Sequence, residues 1–139
     1  MGADGYDGSI GYISEGSDLS AWENVLFTNH YDPADTSEKV VNFVEAFKAA
    51  NNGETPNAFA ALGYDALNTL VDAIESAGTA DADAVRDALA DTSAIHEGVT
   101  GTFTLDETGT PVKGSAVVAF TVVDGAVTTK LNSVVAGLE

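Results

Sequence analysis

The chain is 139 residues long, 45% apolar, and carries a formal net charge of −17 from 22 acidic and 5 basic side chains. That length suffices for one ordinary domain with a real core. Its five cations, Lys39, Lys48, Arg86, Lys113 and Lys130, are too few to neutralise a nucleic acid backbone or to hold an anionic membrane surface.

The acidity reads as a solvated surface rather than a cation trap, because the ligand spacing of a calcium loop is absent. Without cysteine there is no disulfide, thiolate metal site or cysteine nucleophile. No apolar run reaches the roughly 18 residues of a membrane span, so no membrane insertion is expected. Met1 abuts what reads as the interior of a domain, and the targeting signal is expected to lie upstream of this chain.

Residues 2–24, rich in Gly, Ser and Asp, predict a loop, one short helix and a loop, anchored by Ile10, Tyr12, Ile13, Leu19 and Trp22. The apolar run Val25–Thr28 suits a short buried strand. Asp32-Pro33-Ala34-Asp35 then breaks the chain. Asp35 and Glu38 have capping-box spacing, with Ser37 an equal candidate for the cap. Val40, Val41, Phe43, Val44 and Phe47 follow at helical spacing, and Asn51-Asn52-Gly53 ends that helix.

A second helix is predicted from about Phe59 to Ala77, closed by Gly78. Its core stripe is expected to be Leu62, Ala66, Leu67, Leu70, Val71 and Ile74, with Asp65, Asn68, Asp72 and Glu75 on the solvent side. A third begins near Asp83 and turns Val85, Ala88 and Leu89 inward. From Thr100 to Leu105 the period becomes alternating, which predicts a half-buried strand ending in a turn at residues 106–110. Ala116–Val123 reads as a long strand, and Asp124-Gly125 as a hairpin turn into Ala126–Asn132. This α/β order offers too few strands to cover three helices, and so predicts a piece of a larger fold.

Three phrases stand in a fixed order: Gly2-Ala3-Asp4-Gly5-Tyr6-Asp7, Asn57-Ala58-Phe59-Ala60-Ala61-Leu62-Gly63-Tyr64-Asp65-Ala66-Leu67, and Glu97-Gly98-Val99-Thr100-Gly101-Thr102-Phe103-Thr104-Leu105-Asp106. With Leu26–Tyr31 and Val44–Ala49 they resemble the C-terminal third or so of a branched-chain amino-acid binding protein, the solute receptor of an ABC importer. The resemblance implies an α/β fragment of a type I periplasmic binding protein, a two-lobed trap in which this chain supplies parts of both lobes. Residues 1–29 and 116–139 would belong to the second lobe and 30–115 to the first, with two of three hinge crossings present. Asn24 stands where the family usually has Gly, and Gly114 is an insertion after Lys113.

By the same resemblance, Asp4 occupies the acidic position that receives the ligand's α-ammonium, through a charge-assisted hydrogen bond. Phe59 matches an aromatic that packs on the ligand, and Tyr6, where relatives often carry Trp, would shape the mouth beside Asp4. Tyr64 is expected in the core. The groups that hold the carboxylate lie upstream, so the chain alone is expected to hold an incomplete site. The implied partners are an amino acid and, in the full-length protein, the ABC permease, in a periplasmic or extracellular setting with no cofactor.

An enzyme finds no support: the motifs of serine hydrolases, zinc proteases and phosphate loops are absent, and His30 and His96 read as surface or structural residues. The remaining rival is an autonomous acidic interaction module, and unpaired sheet edges leave self-association open.

Overall fold

A computed structural model describes residues 1–13 and 16–135. Three 3-10 turns, at Asp4–Tyr6, Ser9–Tyr12 and Leu19–Trp22, replace the single short helix expected there. They are followed by β1 (Leu26–Asn29), α1 (Glu38–Ala50), α2 (Ala58–Ala77) and α3 (Ala82–Leu89). Then come β2 (His96–Gly98), β3 (Gly101–Leu105), β4 (Pro111–Lys113), β5 (Ser115–Val123) and β6 (Ala126–Val135). The strands make two antiparallel sheets, in the orders β1–β5–β6 and β2–β3–β4. The sequence pattern misses β2 and β4, which have three residues each and so no room to show an alternating period.

One core lies on the β1–β5–β6 sheet. Five consecutive residues of β5, Ala116–Phe120, are buried, as happens when both faces of a strand are covered. The Phe27 and Phe120 rings sit 4.9 Å apart, and Trp22 meets Phe120 edge-on at 5.3 Å. The turns bring Ile10, Ile13, Leu19 and Trp22 over this cluster. That packing is why a Gly- and Ser-rich segment folds at all. Asp124 and Gly125 both have positive φ, as a two-residue hairpin requires. Asn132 is left without a partner where the β5–β6 register shifts. Asn24, which replaces the usual Gly, also has positive φ, a conformation that Asn tolerates better than most residues.

The second core joins Tyr31, Val40, Phe43, Val44, Ala58, Ala61 and Val99. The cap of α1 falls to Ser37, but without a side-chain bond, and Asp35 accepts the Ser37 N–H instead of forming a capping box. Asn57 caps α2 by accepting the Ala60 N–H, and Gly78 ends that helix in the left-handed conformation.

The stripe expected to be the core of α2 is corrected. Leu67, Leu70 and Val71 are 60%, 42% and 42% exposed, whereas Asp65, expected at the surface, is buried. Small side chains at Ala58 and Ala61 let the helix approach closely on the Asp65 side. Tyr64 is likewise exposed, with its ring 4.9 Å from Phe43 at the edge of the core.

A buried carboxylate needs strong partners, and Asp65 has them. Its two oxygens accept the Val99 and Thr100 N–H groups at 2.7 and 2.8 Å. A Cβ on Gly98 would stand 2.3 Å from the same carboxylate, so that position has to be glycine for the turn to close on α2. Two separate phrases of the sequence are thus one structural unit.

The chain passes between the two cores twice, after β1 and before β5. These passages lie side by side: Asn29 pairs with Ala116, and the Ser115 hydroxyl donates to the Asn29 carbonyl at 3.1 Å. Residues 136–139, assigned to the second lobe in the sequence reading, lie outside the described residues.

Candidate functional site

The opening turn is placed by three contacts. Gly2 bridges β1 as a parallel neighbour of Phe27, with Gly2 N–H on the Leu26 carbonyl and Thr28 N–H on the Gly2 carbonyl. Tyr6 then folds back over Gly2, so closely that a Cβ there would come within 2.6 Å of the ring, and stacks on Phe27 with centroids 6.3 Å apart. At the end of the turn, Asp7 accepts the Ala58 N–H at 2.6 Å.

That last bond sets the turn carrying Asp4 and Tyr6 against the N-terminus of α2, one residue before Phe59. A carboxylate is favoured there, since the first N–H groups of a helix lack internal partners and the helix dipole is positive at that end. Asp7 carries no assigned role in the sequence reading. Its distance of 51 residues from Ala58 leaves no local signal to find it by.

Asp4 faces His30, with Oδ2 3.2 Å from the imidazole Nε2. His30, read from sequence as a surface or structural residue, is held at its backbone by Asn29, whose side chain accepts the His30 N–H at 2.8 Å. The next residue, Tyr31, is buried and donates its hydroxyl to the Pro56 carbonyl, just ahead of α2. Burial, aided by the charges of Asp7 and Asp32, pushes the Tyr31 phenol well above its ordinary pKa, so it stays a neutral donor.

The contacts therefore run in a closed circuit: Asp4 to His30, Tyr31 to Pro56, and Ala58 back to Asp7. The circuit draws the opening turn, the end of β1 and the start of α2 to one place. The Asp4 side chain is 43% exposed, the Tyr6 residue 43% and Phe59 57%, so the carboxylate and both rings remain open to a solute. Beside them, His30 lines a cleft of about 430 Å3 between the two passages, with Asp32, Asp35, Lys39 and Ser115 on its walls.

His96 lies elsewhere. It is buried in β2, with its ring 5.3 Å from Phe103 and Nδ1 4.0 Å from Asp72. Among the described residues no group of His, Cys, Asp or Glu side chains is placed to hold a metal ion, and no helix is long and apolar enough to cross a membrane.

The family model for a periplasmic binding protein matches residues 5–126. Among solved structures, a leucine-binding protein from Thermotoga maritima is 34% identical over 96% of this chain, with a TM-score of 0.75. The branched-chain amino-acid transporter substrate-binding protein of Streptococcus pneumoniae, solved in complex with isoleucine, is 27% identical over 96% of this chain, with a TM-score of 0.70. A solute-binding protein of an ABC transporter from Rhodopseudomonas palustris, in complex with 3,4-dihydroxybenzoic acid, shares the fold at 22% identity and a TM-score of 0.74 over 96% of this chain.

The chain spans 36%, 35% and 35% of those three proteins, about a third of their length. A search of curated proteins returns no match. These relatives are transport proteins rather than enzymes, and nothing among them supports an autonomous interaction module. On the family match and the 34% identity together, this chain belongs to the periplasmic binding protein family, as an α/β portion of its type I fold.

Proposed function

We propose that the chain is part of an extracytoplasmic receptor that captures an amino acid of the branched-chain type and delivers it to an ABC permease. In this reading Asp4 receives the α-ammonium group, and Phe59 and Tyr6 pack around the ligand from the two sides of the circuit. Residues 1–29 and 116–139 belong to one lobe and 30–115 to the other, and the adjacent passages form two of the hinge segments. The observation that carries the proposal is the circuit, because it gathers an accessible carboxylate and an exposed ring from segments far apart in sequence.

The chemistry favours an amino acid over an aromatic acid. A carboxylate forms a strong, charge-assisted bond with an ammonium group and repels another carboxylate. The leucine-binding relative at 34% identity and the isoleucine-bound relative at 27% point to the same ligand class. As a trap, such a receptor closes because the ligand binds the closed form better than the open one.

The test is isothermal titration of leucine, an amino-acid panel and benzoate into this chain, alone and mixed with the complementary upstream segment of the Thermotoga maritima protein. The expected result is leucine binding in the mixture, its loss in Asp4→Ala, and no response to benzoate. Leucine binding that survives Asp4→Ala unchanged overturns the assignment of Asp4.

A further inference from the structure

An imidazolium and an alkylammonium are the same kind of partner to a carboxylate: a cationic N–H donor. His30 stands where such a donor is wanted, 3.2 Å from Asp4 Oδ2. It is held there by its backbone bond to Asn29 and by the buried Tyr31 that follows it. Its side chain is 36% exposed and borders the cleft, so the ring has room to leave Asp4 without disturbing either core.

Resting on the reading of Asp4 above, we propose that His30 is a built-in competitor for the ammonium site. It occupies Asp4 when no amino acid is bound and has to release it when one arrives. Two consequences follow. Only a solute with a cationic amino group displaces His30, so the pair screens out neutral and anionic solutes of the same shape. Ligand affinity also falls as the imidazole takes up a proton, because the protonated ring holds Asp4 more strongly.

Asp4 on the opening turn contacts the His30 ring, and Tyr31, Asp32, Asp35 and Lys39 are the other titratable residues lining the same cleft. Burial keeps the Tyr31 phenol protonated, so it adds no charge beside the ring.

The first arm of the test needs no ligand: in the 139-residue chain, an NOE from a His30 ring proton flanking Nε2, Hε1 or Hδ2, to the Asp4 Hβ protons is expected, and the absence of both overturns the pairing. The second arm titrates leucine into the chain plus the upstream Thermotoga maritima segment, at about pH 5.5 and about pH 8. Wild type should bind about threefold more weakly at the lower pH, the scale of a solvent-exposed ion pair. His30→Ala and His30→Gln should bind equally at both, and His30→Ala about threefold more tightly than wild type at the lower pH.

A pH dependence that His30→Ala and His30→Gln leave intact overturns the competitor role, and loss of binding in Asp4→Asn would then still uphold the ammonium site. Undiminished binding by Asp4→Asn instead overturns the ammonium site, and the competitor role with it.

Discussion

In the β1–β5–β6 half, Phe27, Phe120 and Trp22 close on one another, and the opening turns fold over them. In the helical half, α2 is joined to the turn before β3 by a carboxylate on two backbone amides, Asp65 on Val99 and Thr100, while Tyr64, Leu67, Leu70 and Val71 stay exposed. The first half buries Phe27 and Phe120 against Trp22, while Tyr6 and Tyr12, the latter expected from sequence as an anchor, stay exposed. The second fixes its geometry by polar bonds and leaves a wide apolar face of α2 uncovered. Directional bonds to a buried carboxylate set the position of α2 even where hydrophobic contact is incomplete.

The largest expected effect strikes the aromatic half. Phe120→Ala should cost ~3–5 kcal/mol in urea unfolding, as for other buried Phe truncations. Because Trp22 is the single tryptophan and lies in that half, its fluorescence should report the loss while helical circular dichroism changes less. Coincident shifts in both signals would erase the distinction between the halves.

Asp65→Ala should reverse that pattern, costing roughly 2–4 kcal/mol by leaving two buried amides unpaired, with the helical signal leading. Gly98→Ala displaces the same carboxylate and should cost ~1–3 kcal/mol alone, but much less in the Asp65→Ala background. Additive losses would show that Gly98 acts through something other than Asp65. Asp7→Ala removes the bond to Ala58 that ties the halves together and should cost about 1 kcal/mol, the scale of a helix cap. The smallest change is expected on the open face of α2. Leu67→Lys should alter the stability of the chain by no more than ~0.5 kcal/mol.

Much of the fold is legible in the sequence, because its signals are local. Periodicity locates α1 and α2, Gly78 marks where α2 ends, and Asp124-Gly125 announces the β5–β6 hairpin. The inward face of α2 is not legible in the same way. A stripe of Leu and Val looks like core by hydrophobicity alone, yet the burial of Asp65 depends on a turn 34 residues away that offers two amides. The candidate site divides similarly. Asp4, Tyr6 and Phe59 are identified only by resemblance, whereas Asp7 and His30 gain their places from contacts 51 and 26 residues apart. A histidine in a strand-end phrase carries no mark of the carboxylate it will meet.

The adjacency of the two passages has a mechanical consequence. Asn29 and Ala116 are rungs of one ladder, and the Ser115 hydroxyl pins the strand edge at the point where the backbones separate. Two backbones bonded in this way cannot pivot about different lines. In the proposed two-lobed trap, rotation of one lobe against the other would twist both passages as a single ribbon and resist sideways shear. A joint of this kind selects the direction of movement before any solute is present.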